Sequence, residues 1–316
     1  MYRDKKVALV IPAYNEEKLI RPTLLNVPTI IDHIYVINDG SIDKTEEVVK
    51  EMAKNDPRIE LINQKKNMGV GEAIITGYKR VLNDGYDIAV VVGGDYQMPL
   101  NEVKNFLDPL IEKRADYTKG NRFLPGMGAF DRMPKIRLIG NMLITAMTKI
   151  SSGYYNLLDV VDGYTAITRD TIKLINWDIA WKGYGYPMDF LIRLNTVGAR
   201  ILDIPRSAIY LEGERQSQIK GLRYAIKVSP MLLRGYFWRL FTKYGFYNFH
   251  PLLLFFICGL TFLPAGLIFG FYLVYKQFFI QIGVSGPQAV FCALLIITGL
   301  QFLLFGMLFD MHENKS

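Results

Sequence analysis

Two uncharged apolar runs late in the chain set the limits on what it can fold into. Residues 252–275 and 289–308 contain no Asp, Glu, Lys or Arg, and Gln301 is the one strongly polar side chain in the second run. A helix crossing a bilayer core needs about 20 apolar residues. A helix on the surface of a soluble core needs a polar face, and neither run has one. Two membrane spans are therefore expected. They account for a chain that is 50% hydrophobic with a mean hydropathy of +0.14. Cys258 and Cys292 both fall inside the runs, which argues against a disulfide framework or a cysteine metal site.

The net charge of +7 is concentrated just before the first run. Residues 221–250 hold Arg223, Lys227, Arg234, Arg239 and Lys243, no acid, and interleaved Tyr, Phe and Trp. Beside a membrane span this pattern reads as an interfacial segment on an anionic leaflet rather than a nucleic-acid surface. The positive-inside rule then places the preceding residues on the cytoplasmic side. Two spans return residues 311–316 to that side. The first residues lead straight into an apolar strand without the pattern of a signal peptide. The expectation is an integral membrane protein with its larger domain and both termini cytoplasmic. Gly266 and Gly270 have helix-packing spacing, so pairing through the spans, including a homo-oligomer, is a further expectation.

The first 220 residues alternate short apolar strands with helical segments, the pattern of a mostly parallel sheet with helices on both faces. Strands are expected at 7–11, 33–37, 59–62, 88–92, 115–119 and 201–204, with another following the turn at 159–164. Helices are expected at 16–25, 43–54, 69–82, 101–112 and 136–150, and a loop at 123–135. The domain division is 1–220, a basic and aromatic segment 221–250, spans within 251–310 and a tail 311–316.

Three strand ends carry polar clusters: Pro12-Ala13-Tyr14-Asn15-Glu16-Glu17, Asn38-Asp39-Gly40-Ser41, and Gly93-Gly94-Asp95-Tyr96-Gln97. A parallel sheet points them all to one edge, where open α/β sheets bind ligands. Asp95 and Gln97 offer oxygen ligands to a hard cation such as Mg²⁺ that shares them with substrate phosphates. Asn67-Met68-Gly69-Val70-Gly71 places glycines at a helix start, where backbone N–H groups can meet an anion. Asp159 and Asp162, beside Gly163, read as turn formers.

These segments, together with Lys66, Ala73 and Gly77, resemble family 2 glycosyltransferases in order and spacing over residues 7–220. They are most similar to dolichyl- and polyprenyl-phosphate sugar synthases. The resemblance implies an α/β fold of the GT-A, nucleotide-diphospho-sugar transferase type: a Rossmann-like domain followed by the two-helix transmembrane anchor. It implies inverting transfer of a sugar from a nucleotide-diphosphate donor to a polyprenyl or dolichyl phosphate. Pro12, Ala13, Tyr14, Glu16, Asp39, Lys66, Asn67, Gly71 and Asp95 would bind the nucleotide sugar. Asp95 and Gln97 would hold Mg²⁺ or Mn²⁺. Arg122, Arg137, Asn141, Arg215 and Lys220 would hold the acceptor phosphate. Asp95, Asp189 and Arg122 are the catalytic candidates.

The chain departs from the family pattern at three places. Gly93 stands where an Asp is usual, Asn141 stands for Ser, and Gln218 stands for a common Lys. The Gln-X-X-Arg-Trp motif of processive polymerases is absent. A phosphate acceptor is already an oxyanion near neutral pH, its second pKa being about 6 by analogy with phosphorylated side chains, so it needs no strong base. Two alternatives compete. One is transfer to a hydroxyl of another lipid or lipid-linked saccharide, which needs a base such as Asp189. The other is a non-catalytic nucleotide-sugar-binding protein, a reading suggested by Gly93.

Overall fold

The structure, a computed structural model, describes residues 1–124, 135–207, 209, 221–247 and 250–314. The chain forms two compact units: Met1–Ser152 with Asn156–Tyr236, and Gly153–Tyr155 with Phe237–Ser316.

In the first unit the expected alternation gives β1 (Val7–Ala13), α1 (Ile20–Leu25), β2 (His33–Asn38), α2 (Thr45–Asn55), β3 (Ile59–Asn63), α3 (Val70–Asn83) and β4 (Ile88–Val91). These are followed by α4 (Val103–Ile111), β5 (Tyr117–Asn121), α5 (Lys135–Ser152), β6 (Thr165–Thr168), α6 (Arg169–Leu174), α7 (Tyr186–Thr196) and β7 (Ile201–Pro205). The sheet order is β3-β2-β1-β4-β6-β5-β7. β6 pairs antiparallel with both β4 and β5, and every other pairing is parallel. The carboxyl ends of six strands and the amino end of β6 therefore share one edge. β4 is buried along its whole length, as a strand covered on both faces must be. The core beneath it joins Leu9, Ile11, Val36, Val90, Phe106 and Tyr164.

α1 starts later than the sequence suggests. Leu19 and Ile20 donate their N–H groups to the Glu16 carbonyl, which turns residues 16–19 into a bend that carries Glu16 at the edge of the sheet. The expected loop at 123–135 falls mostly on residues 125–134, outside the described residues.

The second unit contains the end of α8 (Gly221–Leu240), a π-helical stretch Phe241–Tyr247, α9 (Pro251–Phe278) and α10 (Gly286–Glu313). α9 and α10 each have 28 residues, and only 22% and 17% of their most apolar stretches are buried. Soluble core helices would be covered, so these are candidate membrane spans and suggest membrane association. They pack through glycines. A Cβ at Gly259 would lie 2.7 Å from the Leu303 side chain, one at Gly266 would lie 2.8 Å from Ile296, and one at Gly270 would lie 3.2 Å from Cys292 Sγ. The spacing at Gly266 and Gly270 thus serves contact between the two spans of one chain.

This unit also buries a charge pair. Arg239 and Asp310 are bidentate, with Nη1–Oδ1 2.8 Å and Nη2–Oδ2 2.7 Å, and both are inaccessible to solvent. The hydroxyls of Tyr244 and Tyr155 and the Asn314 amide donate to the same carboxylate at 2.8, 3.2 and 3.1 Å. One cation of the basic segment is therefore an internal structural group.

Candidate active site

The loops after β1, β2 and β3 are tied together through their own polar groups. Asn15, in the left-handed region at φ 57°, donates its N–H to Ser41 Oγ at 3.0 Å, and its Oδ1 accepts from the Ile42 N–H at 2.9 Å. The Glu16 N–H donates to Thr45 Oγ1 at 2.8 Å. Asp39 is buried, and its carboxylate accepts from the Met68 and Gly69 N–H groups at 2.7 and 2.9 Å. Burial raises its pKa above the ordinary carboxylate range against the pull of those two bonds. Gly40, at φ +70°, allows the close approach, because a Cβ there would lie 2.7 Å from the Asn67 nitrogen. Pro12, Ala13 and Glu16 line the same side, while Tyr14, Lys66 and Asn67 are exposed. These residues form one rim along the shared edge of the sheet.

The start of α3 differs from the sequence reading. A Cβ at either Gly69 or Gly71 would lie 2.5 Å from a carbonyl oxygen of the 181–182 segment, and the Gly71 N–H donates to the Lys182 carbonyl at 2.7 Å. These glycines accommodate protein backbone. The anion that meets the N–H groups of Met68 and Gly69 is the Asp39 carboxylate.

Asp95 stands on the turn after β4, and this turn is pinned to its neighbours. The Gly94 N–H donates to the Pro12 carbonyl at 3.3 Å and the Thr23 hydroxyl to the Gly94 carbonyl at 3.2 Å. Tyr96 takes a left-handed φ of 55°. Among the described residues the Asp95 carboxylate is bonded only by backbone N–H groups, that of Gln97 at 3.3 Å and its own, and no cation pairs with it. Burial raises its pKa, and Arg206 offsets this only in part. A Cβ at Gly93 would lie 2.9 Å from Asp95 Oδ1, so the turn is built around a glycine at that position.

Beyond Asp95 lies a buried network that the sequence did not reveal. Arg122, directly after β5, grips Asp159 with Nε–Oδ2 2.7 Å and Nη2–Oδ1 3.0 Å, and its Nε is 3.2 Å from Asp162 Oδ2. Arg206, directly after β7, donates to Asp162 Oδ2 from Nε at 2.8 Å, with Nη2 2.7 Å from the same oxygen. Arg206 Nη1 also donates to the Gln97 carbonyl at 3.3 Å and the Ser207 carbonyl at 2.9 Å. Burial pushes the Asp162 carboxyl up, but Arg206, Arg122 and Lys119 outweigh it and hold the group below the ordinary range. The buried Lys119 ammonium donates to the carbonyls of Gly120 and Asp159. Asp159 and Asp162 are thus carboxylate anchors for arginines as well as turn residues. The available signal for Arg206 was its place just after the strand expected at 201–204.

Asp189 has a structural setting. It lies in the first turn of α7, accepts from the Trp181 N–H at 2.8 Å and pairs with Arg193 at 2.7 Å. Asn141 is half-buried on α5. Arg137 is on α5 with its side chain outside the described residues, and Arg215 and Lys220 also lie outside them.

The sequence profile of glycosyl transferase family 2 matches residues 8–175. The chain belongs to that family. This glycosyltransferase is 30% identical over 222 residues to UDP-N-acetylglucosamine--dolichyl-phosphate N-acetylglucosaminyltransferase of Methanococcus voltae, covering 66% of this chain and 88% of the relative. It is 27% identical to polyprenol monophosphomannose synthase of Mycolicibacterium smegmatis, over 73% of this chain and 88% of that one. Among solved structures it matches glucosyl-3-phosphoglycerate synthase of Mycobacterium tuberculosis, crystallised with Mn²⁺ and uridine diphosphate. That match has a TM-score of 0.56 at 17% identity and covers 74% of this chain and 80% of that one. The structural match supports the GT-A-like α/β fold expected from the sequence.

Proposed function

We propose that this glycosyltransferase moves a sugar from a nucleotide-diphosphate donor to a polyprenyl or dolichyl phosphate, with inversion at the anomeric carbon. The observation that carries the reading is a sheet edge that holds Asp95 after β4 and Arg122 after β5, with β6 between them, in a chain that also carries two candidate spanning helices. The relatives named for dolichyl and polyprenyl phosphate transfer support it.

The rim formed by Pro12, Ala13, Tyr14, Glu16, Asp39, Lys66 and Asn67 receives the nucleoside and its phosphates, while Gly71 packs behind it on the Lys182 backbone. Tyr14 offers an exposed ring for stacking. Asp95 and Gln97 fit a hard divalent cation, Mg²⁺ or Mn²⁺. The Asp95 carboxylate is half-buried and, among the described residues, bonded only by backbone N–H groups, and a single carboxylate leaves room for donor phosphates in the coordination sphere. Among the described residues no cluster of three or more His, Cys, Asp or Glu completes a site without them. When bound, the cation neutralises charge on the departing nucleotide diphosphate.

The acceptor phosphate is itself the nucleophile, so the protein's task is to hold two anions in line rather than to remove a proton. Guanidinium groups suit that task because they bind phosphate oxygens in pairs. Arg122, Arg137 and Arg215, with Asn141 and Lys220, are assigned to it. Asp189, engaged by Arg193 and the Trp181 N–H, is poorly disposed as the base that a hydroxyl acceptor would require. The basic segment 221–250 docks residues 1–220 on the cytoplasmic leaflet, where the lipid head group lies.

The test is incubation of purified protein with several nucleotide sugars, polyprenyl phosphate and Mg²⁺ or Mn²⁺. A labelled lipid with at least one donor is expected. Absence of product with every donor overturns the reading.

A further inference from the structure

A buried arginine–aspartate pair is seldom retained for stability alone, because well-packed apolar residues of similar volume often do as well or better. Arg206 and Asp162 are both buried, and their setting suggests another reason for keeping them. One oxygen, Asp162 Oδ2, lies 2.7 Å from Arg206 Nη2 and 3.2 Å from Arg122 Nε. Arg206 reaches onward to the Gln97 carbonyl, in the turn that carries Asp95. Arg122 lies at the end of β5, on the side assigned to the acceptor. The backbone is shaped to allow this junction, since a Cβ at Gly120 would lie 2.7 Å from Asp162 Oδ1 and 2.9 Å from Arg206 Nε.

We propose that Asp162 is a joint between the two halves of the reaction site. Through Arg206 it sets the Gln97 turn on the donor side, and through Arg122 it sets the acceptor side, so that occupancy of one half orders the other. Asp162 and Arg206 are positioning residues in this scheme. The proposal rests on the reading of donor and acceptor sides given above.

A guanidinium moved by one arm of the joint disturbs the other arm through the shared oxygen, and the disturbance needs the carboxylate charge. The experiment uses the purified full-length protein in detergent and two measurements. One is the affinity for UDP or GDP with Mn²⁺, by calorimetry without acceptor. The other is the KM for polyprenyl phosphate with the donor that wild type uses. Arg206→Lys is expected to weaken nucleotide binding by about tenfold and to raise the acceptor KM by about threefold. Arg122→Lys is expected to do the reverse, about tenfold on the acceptor KM and about threefold on nucleotide binding. In the Asp162→Asn background both cross effects vanish while the direct effects remain. Melting temperatures check that the variants are folded, and a purely structural role would lower these without producing paired cross effects.

Cross effects that are absent in the wild-type background, or undiminished by Asp162→Asn, overturn the joint. If Asp162→Asn fails to fold, the cross effects of the two lysine variants decide: their presence supports the joint and their absence overturns it. If wild type forms no labelled lipid, the functional reading fails by itself. The joint is then judged by the effect of Arg122→Lys on nucleotide binding, which needs no turnover.

Discussion

Each compact unit of this protein buries an arginine against an aspartate, and Arg239–Asp310 and Arg206–Asp162 are partnered in opposite ways. In the membrane unit the contacts converge. Tyr155, Tyr244 and Asn314 all turn toward the Asp310 carboxylate that already holds Arg239 bidentately. In the catalytic unit the contacts branch. Asp162 serves two arginines, and one of these continues to the carbonyl of Gln97. A convergent cluster gathers its donors on one carboxylate and satisfies a buried charge. A branched one carries the position of one group to the next, as a site that must align two anions requires.

The comparison breaks most sharply by removing one partner. Asp310→Ala removes the carboxylate that holds the buried Arg239, and should cost about 3–5 kcal/mol of stability, measured as a lower melting temperature in detergent. Replacing both residues by leucine should recover most of that loss. On the catalytic side, Asp95→Asn should lower kcat by about a hundredfold or more by analogy with loss of a single transition-state stabiliser, with no loss of melting temperature.

Two glycines give a finer comparison. Gly120 presses on Asp162 and Arg206, and a Cβ at Gly153, at φ +78°, would lie 2.6 Å from Arg239 Nη1. Alanine at either position should cost about 1–3 kcal/mol through overpacking. Only Gly120→Ala should also reduce nucleotide binding.

Acidification separates the two carboxylates of the catalytic unit. Asp95 has a raised pKa, so its ionised form is disfavoured by folding. It adds stability below its unfolded pKa of about 3.9 and loses that contribution as pH rises through the folded value. Asp162 has a lowered pKa. Its contribution is present above about 3.9 and is lost as pH falls through the folded value. Nucleotide–Mn²⁺ affinity should therefore fade on acidification before the melting temperature falls, which a paired pH series would show. The smallest expected effect on turnover is from Asp189→Asn. With a phosphate acceptor kcat should fall less than about tenfold, the low end for loss of a general base being a hundredfold, and a larger loss would favour a hydroxyl acceptor.

What could be read from the sequence followed chain-local patterns. Alternating apolar runs revealed the sheet, and turn residues after Ile11, Ile37 and Val92 revealed the edge where Glu16, Asp39 and Asp95 meet. What stayed hidden depended on partners far apart in the chain. Asp162 read as a turn former because Arg206 is 44 residues away. Arg239 read as one more cation of an interfacial segment because Asp310 is 71 residues later. Gly69 and Gly71 read as an anion cradle because nothing near them announces that residues 181–182 pack against them. The antiparallel β6 was hidden for a related reason, since a four-residue strand carries no sign of its direction.

The convergent cluster also sets a timetable. Ribosomes add roughly 5–20 residues each second, so Arg239 waits roughly 4–14 seconds for Asp310 to be made. Tyr155 waits longer, since 155 residues separate it from the same carboxylate. During that interval the guanidinium lacks the carboxylate that holds it in the folded unit. Closure of the membrane unit therefore waits on synthesis of α10.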